Sequence, residues 1–236
     1  EGRNAVFELL KTGKTIEKIM IEKNPQGSLN KVFAEARKAN VRVQFVDKKA
    51  LDKQSTTGHH QGVIAFSSDY VYAELDDILA VENPKGKFVI VCDGIEDVHN
   101  LGSIIRVAEC AGADGVVIPS NNAASVTEAV VRISAGAANH MKVAKVNSLG
   151  NAIDRLKENG FWLYALEADG TDIYTADLTG NVALVIGGED SGVRRLTREK
   201  CDFTLSLPLF GKVNSLNASV ALGIAAYEVV RRRLGK

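Results

Sequence analysis

Phe88-Val89-Ile90-Val91-Cys92, closed by Asp93-Gly94, decides the fold class of this chain. An unbroken apolar run that stops at a turn pair is the pattern of a strand buried on both faces, whereas a half-solvated antiparallel strand would alternate. Working outward, the pattern recurs at 115–118 before Pro119, at 161–166 after Asn159-Gly160, at 182–186 before Gly187-Gly188, and at 203–207 before Pro208. Helical periodicity fills the intervals at 101–111, 126–137, 149–158 and 196–200, with a last helix at 216–234. This alternation predicts an α/β domain whose five parallel strands are covered on both faces and whose ligands bind at the carboxyl ends of the strands.

The segment before it differs in charge. Residues 1–66 carry twelve Lys/Arg and seven Asp/Glu, residues 67–84 five acidic groups and no basic one, and residues 85–236 seventeen of each. We read 1–66 as a smaller α/β domain, with helices at 4–11 and 29–39 and extended runs at 16–21, 41–46 and 62–66. The acidic stretch 67–84 is read as a linker, and 85–236 as the main domain. Overall the chain is neutral, 45% hydrophobic and 25% charged, an ordinary globular balance that excludes disorder and binding of a polyanion through global charge. The excess cations of the first domain, Arg3, Lys11, Lys14, Lys18, Lys48, Lys49 and Lys53, are available for phosphate contact there, although no aromatic face is evident among them.

Three cysteines, Cys92, Cys110 and Cys201, stand far apart and odd in number, which predicts reduced thiols and a cytoplasmic protein. No apolar run is long enough for a membrane span, and no signal-peptide pattern opens the sequence. His59 and His60 are adjacent, poor geometry for one metal, so no metal centre is expected. Arg231, Arg232, Arg233 and Lys236 end the last helix, where cations complement the helix dipole.

Three stretches can carry chemistry. In the first, Asp93 to Arg106, a strand hands over to a helix with Asn100 as the expected N-cap. Arg106 shares a helix face with Gly102 and Ser103, so it reads either as an anion clamp over a small-residue turn or as a solvated helix arginine. In the second, Gly187-Gly188-Glu189-Asp190 ends a strand in a close turn followed by carboxylates. It matches neither G-x-G-x-x-G nor a Walker A loop, and the carboxylates disfavour a phosphate. In the third, Leu207-Pro208 leads through a polar, mostly uncharged loop to Ser215-Leu216-Asn217, with Ser215 the expected cap of the last helix and Asn217 inside an apolar pattern, in need of hydrogen-bond partners.

In this order, Asn100-Leu101-Gly102 with Arg106, Ile186-Gly187-Gly188-Glu189 with Gly192, and Leu207-Pro208 through Ser215-Leu216-Asn217-Ala218-Ser219 resemble the three motifs of the SpoU (TrmH) family of RNA ribose 2′-O-methyltransferases of the SPOUT superfamily. The leading domain, opened by Gly2-Arg3-Asn4-Ala5-Val6 and with His60-Gln61-Gly62-Val63 near its end, is similar to that family's L30e-like RNA-binding domain. The resemblance is strongest to bacterial enzymes that methylate a guanosine ribose in large-subunit (23S) ribosomal RNA. It implies S-adenosyl-L-methionine as cofactor, RNA as partner, a deep trefoil knot in the C-terminal domain and a homodimer whose sites use both chains. Carried over by position, it makes Asn100, Arg106, Glu189 and Asn217 catalytic or substrate-orienting, and Gly187, Leu207, Leu216 and Ser215 cofactor-binding.

Overall fold

A computed structural model describes residues 1–11, 15–68, 70–189 and 191–235. Lys14, Asp69, Asp190 and Lys236 of the stretches above lie outside the described residues. The chain divides into two compact units, Glu1–Val71 and Tyr72–Lys236.

The first unit runs α1 (Arg3–Leu9), β1 (Thr15–Glu22), α2 (Ser28–Lys38), β2 (Val43–Val46), α3 (Lys48–Gln54) and β3 (Val63–Ser68). Its sheet has the order β2-β1-β3, parallel between β1 and β2 and antiparallel between β1 and β3. The period-2 alternation of β1 puts Ile19 and Ile21 on one face, packed with Val6, Leu29 and Val32 of α1 and α2. Met20 is on the other, packed with Leu51 of α3 and Ile64. Here α3 is an addition to the sequence reading: its sequence, Lys48-Lys49-Ala50-Leu51-Asp52-Lys53-Gln54, is too polar and short for a periodicity, and the single buried Leu51 docks it.

The second unit holds α4 (Leu75–Leu79), β4 (Phe88–Asp93), α5 (Val98–Cys110), β5 (Gly115–Pro119), α6 (Glu128–Ile133), β6 (Val143–Val146), α7 (Leu149–Glu158), β7 (Trp162–Asp172), β8 (Val182–Gly187), α8 (Arg195–Lys200), β9 (Phe203–Ser206) and α9 (Ala218–Arg233). Its sheet is parallel throughout, in the order β6-β5-β4-β8-β7-β9. The expected parallel sheet is present with a sixth strand, β6, whose four residues Val-Ala-Lys-Val are too short and too interrupted by Lys145 to register as an apolar run. Val89, Val91, Val117 and Val185 point into a core closed by Leu75 and Ile78 of α4 and Ile153 and Leu156 of α7. On the other face α5 packs against α6 and α9, with α5 touching β5 and α9 touching β8. The 67–84 stretch differs from its reading as a linker, because three of its apolar residues, Leu75, Ile78 and Leu79, are buried in that core while Glu74, Asp76, Asp77 and Glu82 are exposed. The strand order reverses about β4, flanked by β5 on one side and β8 on the other, which opens a crevice at the carboxyl ends.

Among the described residues no helix is long and apolar enough to cross a membrane, and no three His, Cys, Asp or Glu side chains gather as metal ligands. The cysteines are unpaired, and burial pushes the Cys92 thiol up to about 12.

Candidate functional site

Three loops at the carboxyl ends of the second sheet build the site. β4 ends at Asp93, and α5 begins five residues later with Asp97, not Asn100, as its N-cap: the Asp97 carboxylate accepts from the His99 and Asn100 amides at 2.6 and 2.9 Å. An anionic cap satisfies two orphan donors and complements the helix dipole better than a neutral amide could. The consequence is that Asn100 sits in the first turn of α5, 8% exposed, with its side chain free to turn elsewhere. It donates from Nδ2 to Glu189 Oε1 at 3.1 Å, and its Oδ1 accepts from Asn217 Nδ2 at 2.8 Å.

Glu189 follows β8. There the backbone folds back so tightly that a Cβ on Gly187 would lie 1.9 Å from the carbonyl carbon of Gly192, and Gly192 N donates to Gly188 O at 2.9 Å. Gly192 has φ +59°, the left-handed region, and a Cβ there would meet the Glu167 carboxylate at 2.6 Å. Glu167 Oε1 accepts the Val193 amide, and the next amide, Arg194 N, donates to Asp93 Oδ2 at 2.8 Å. Arg194 Nε adds a bond to Asp93 Oδ1 at 2.7 Å, so a carboxylate only 1% exposed is paired by charge as well as by backbone. Two anchors from β4 and β7 thus hold the loop that carries Glu189.

The third loop connects β9 to α9. Ser215 does not cap the helix; Asn217 does, its Oδ1 accepting from the Ser219 and Val220 amides at 3.0 and 3.3 Å. Ser215 instead lies in the wall of a cavity, and Asn217 is exposed, not buried as its apolar surroundings in sequence suggested; its hydrogen-bond partners are the other two motifs, since its Nδ2 donates to Glu189 Oε1 at 2.6 Å and to Asn100 Oδ1 at 2.8 Å. Asn100, Glu189 and Asn217, from three separate stretches of sequence, therefore form one hydrogen-bonded cluster.

The cavity measures about 360 Å³, within the range of small-molecule sites. Gly187, Leu207, Ser215 and Leu216 line it, as does Glu189. Sequence reasoning missed Glu167, which reaches the wall because Leu166 and Thr171 both pair with Leu205 and the residues between them are extruded at the strand end. The lining holds the two carboxylates Glu167 and Glu189 and no lysine or arginine, so it suits a neutral or cationic ligand and rejects a phosphate.

Arg106 stands apart. It is exposed, and its side chain makes no hydrogen bond or ion pair within the described residues. Six residues after Asn100 on α5, it faces about 120° away from that side chain. Of the two readings of its spacing, the solvated helix arginine matches this placement and the small-residue anion turn does not, since the Gly102 face is filled: a Cβ there would be 2.6 Å from Ile133 of α6, so Gly102 serves close helix packing. Beside the site, Phe210 and Val213 of the third loop are 97% and 73% exposed, and Val220, Ile224 and Tyr227 form a half-exposed apolar stripe along α9.

In the first unit the two segments singled out from sequence meet. Gly2 N donates to Val63 O at 3.2 Å, and Arg3 Nε donates to Gln61 O at 3.0 Å. His60 is buried, with Nδ1 accepting the Gly62 amide and Nε2 facing Asp52 at 2.9 Å, a structural role. Cations do lie over aromatic rings here, Lys11 over Phe7 at 4.5 Å and Lys18 over Phe66 at 4.6 Å.

A parallel sheet with a cavity at its carboxyl ends is the frame of a ligand-binding α/β protein, and the chain belongs to the SpoU rRNA Methylase family, whose model matches residues 87–227. A second family model, RNA 2′-O ribose methyltransferase substrate binding, matches residues 1–73. YacO of Bacillus subtilis, by name a TrmH family tRNA/rRNA methyltransferase, is 44% identical over 98% of this chain and 94% of its own length. Among solved structures, the SpoU methyltransferase AviRb of Streptomyces viridochromogenes with the cofactor AdoMet superposes with a TM-score of 0.65 at 24% identity, covering 100% of this chain and 90% of that one. An AdoMet-bound rRNA methyltransferase of Sinorhizobium meliloti gives 0.63 at 24%, covering 98% and 86%. The two structures share the fold; membership of the family makes this chain an RNA methyltransferase.

Proposed function

We propose that the chain transfers a methyl group from S-adenosyl-L-methionine to the 2′-oxygen of a guanosine ribose in large-subunit ribosomal RNA, as a cytoplasmic homodimer. The observation that carries this reading is the convergence of Asn100, Glu189 and Asn217 on one hydrogen-bonded cluster at the wall of a carboxylate-lined cavity.

The residues present fit the cofactor. Leu166, Ile186, Leu205, Leu207 and Leu216 offer apolar walls to a nucleoside, and Glu167 and Glu189 suit a cationic, phosphate-free molecule. Gly187, whose missing side chain lets the Gly192 backbone fold against it, lines the cavity together with Ser215 and Leu216. The cofactor supplies an electrophilic methyl group on a sulfonium. The protein's task is to align the ribose hydroxyl and take its proton. Asn100 and Asn217 fix Glu189 through Oε1, which leaves Oε2 without a donor among the described residues and ready to accept that proton. A guanidinium is not deprotonated in proteins, so we assign Arg106 to the phosphate next to the ribose, as a bidentate clamp that also stabilises charge developing on the oxygen. Recognition at the 2′-hydroxyl selects RNA over DNA.

Arg106 faces away from the cluster of its own chain, which supports a dimer in which each site takes its arginine from the partner. The exposed Phe210, Val213 and α9 stripe beside the cluster are apolar surface for that interface. The knot implied by the motif resemblance belongs to this reading, as does RNA capture by the basic unit at residues 1–66. Transfer RNA as substrate is the second reading, favoured by the double name of YacO.

Calorimetric titration tests the cofactor part. The expected result is saturable binding of S-adenosylmethionine and S-adenosylhomocysteine at up to one site per chain, with none of ATP. Absence of binding to either adenosyl ligand at millimolar concentration by the folded dimer would contradict it.

A further inference from the structure

The carboxyl-end rim of the second unit carries another cleft, of about 340 Å³, on the far side of the glycine loop from the first. Its wall includes Asn121, Asn122 and Asn147 from the loops after β5 and β6, and Arg194, Arg195 and Leu196 where α8 begins. The two clefts back onto each other. Glu189 and Gly192 line the first and Arg194 and Arg195 the second, and a Cβ on Gly188 would lie 2.7 Å from the carbonyl oxygen of Gly94, beside Asp93 at the second. The loop after β5 is also tied to the segment leading into α5, since Ala124 N donates to Ile95 O at 2.7 Å.

Their chemistry is opposite. The first cleft presents carboxylates and no base. In the second the only carboxylate among the described residues, Asp93, is 1% exposed and already neutralised by Arg194. What faces solvent there is Arg195, whose side chain is 76% exposed with a single partner at Glu199, the amides of Asn121 and Asn122, which have no side-chain partner among the described residues, and Leu196, 66% exposed. A cation for a phosphate, amides with both donor and acceptor for a base edge, and an apolar side chain for a base face are the set that a single-stranded nucleotide recognises.

We propose that this cleft is a second RNA subsite, which holds a nucleotide flanking the methylated one. It deepens the reading of this chain as an RNA ribose methyltransferase, and rests on it. The glycine loop then separates two sites of one reaction: the reacting centre on one side and a neighbouring nucleotide on the other. The choice of flanking sequence is made by the asparagines.

The test measures equilibrium binding of protein-free large-subunit ribosomal RNA and of an unmodified transfer RNA transcript by the full-length protein, with S-adenosylmethionine affinity measured by calorimetry alongside. Two uncharged changes, Asn121→Leu and Leu196→Ser, are expected to weaken binding of the preferred RNA about fivefold or more each, as loss of one base contact does. Arg195→Glu is expected to weaken it by about tenfold. Lys85→Glu, at the amino end of the sheet before β4, serves as the charge control and leaves affinity within about twofold, as a cation off the RNA path would. Cofactor affinity stays at the wild-type value throughout. The subsite is overturned if the uncharged variants bind RNA like wild type, if Lys85→Glu costs as much as Arg195→Glu, or if the cleft variants lose cofactor and RNA together, which would mark a merely structural loop. A wild-type protein that binds the cofactor but neither RNA would instead overturn the underlying reading, and this proposal with it.

Discussion

Asn217 Nδ2 donates to Glu189 Oε1 at 2.6 Å while Oδ1 of the same amide caps α9 at the Ser219 and Val220 amides. One side chain therefore joins the start of the C-terminal helix to the carboxylate at the end of β8, so the shape of the cluster and the stability of the helix are linked.

The two functions can be separated by substitution. Asn217→Ala removes both and is expected to cost about 1 kcal/mol of stability, the worth of a cap, together with methyl transfer. Asn217→Asp keeps an acceptor for the helix amides but sets a carboxylate against Glu189. Its melting temperature should stay above that of the alanine variant while turnover is lost. Equal turnover of Asn217→Asp and wild type would show that Glu189 does not need the amide donor.

Complementation tests whether the site is shared between two copies of the chain. The Arg106→Ala and Glu189→Ala proteins are each expected to lose about 100-fold or more in turnover, the scale of a removed transition-state donor or base. If Arg106 acts on the partner's cluster, mixed dimers formed by co-expression recover one intact site, giving roughly a quarter of wild-type sites at equal expression. No recovery in verified mixed dimers would place Arg106 at the site of its own chain.

The Asp93 and Arg194 pair anchors the glycine loop. Arg194→Met leaves Asp93, 1% exposed, without its counter-charge. Breaking such a pair costs several kcal/mol when both partners are dry, but Arg194 is 44% exposed and water screens part of the loss, so we expect about 2 kcal/mol. Chemical denaturation measures this, and cofactor affinity should fall with it because the same loop walls the cavity.

Much of this architecture was legible in the sequence, and what was not has physical causes. The five apolar runs mark strands because burial on both faces leaves no polar alternation to confuse them, whereas β6 escaped notice with four residues and a lysine. α4 was hidden by its own charge, since Asp76 and Asp77 stand beside the Leu75, Ile78 and Leu79 that dock it. Both expected caps were misplaced, each by a competing side chain near the helix start, Asp97 for Asn100 and Asn217 for Ser215. The four residues that the motif resemblance assigns to the cofactor, Gly187, Leu207, Ser215 and Leu216, lie in the wall of one cavity. Glu167 and the Asp93 and Arg194 pair carry no such signal, because contacts made across 26 and 101 residues exist only once the sheet is assembled.

Acid should loosen the C-terminal helix. Glu228, buried on α9, accepts from Arg231 and Arg232, and those bonds hold its carboxyl below the usual carboxylate range. Since its folded pKa is the lower one, its contribution to stability is fully present above the unfolded value of about 4.3 and is lost as pH falls through the folded value. The melting temperature should therefore decline on acidification below about pH 4.5, and Glu228→Gln should be less stable at neutral pH with a flatter acid limb. Parallel curves for the two proteins would refute the assignment.

The most direct measurement of the central claim is incubation of the purified protein with S-adenosylmethionine carrying a labelled methyl group and unmodified large-subunit ribosomal RNA, followed by mapping of the label. The account predicts methyl on a guanosine 2′-oxygen, seen as protection of one phosphodiester from alkaline cleavage, and an initial rate of labelling lower by about 100-fold or more with Glu189→Ala. Label on a base, or ribose labelling at the wild-type rate without Glu189, would contradict it.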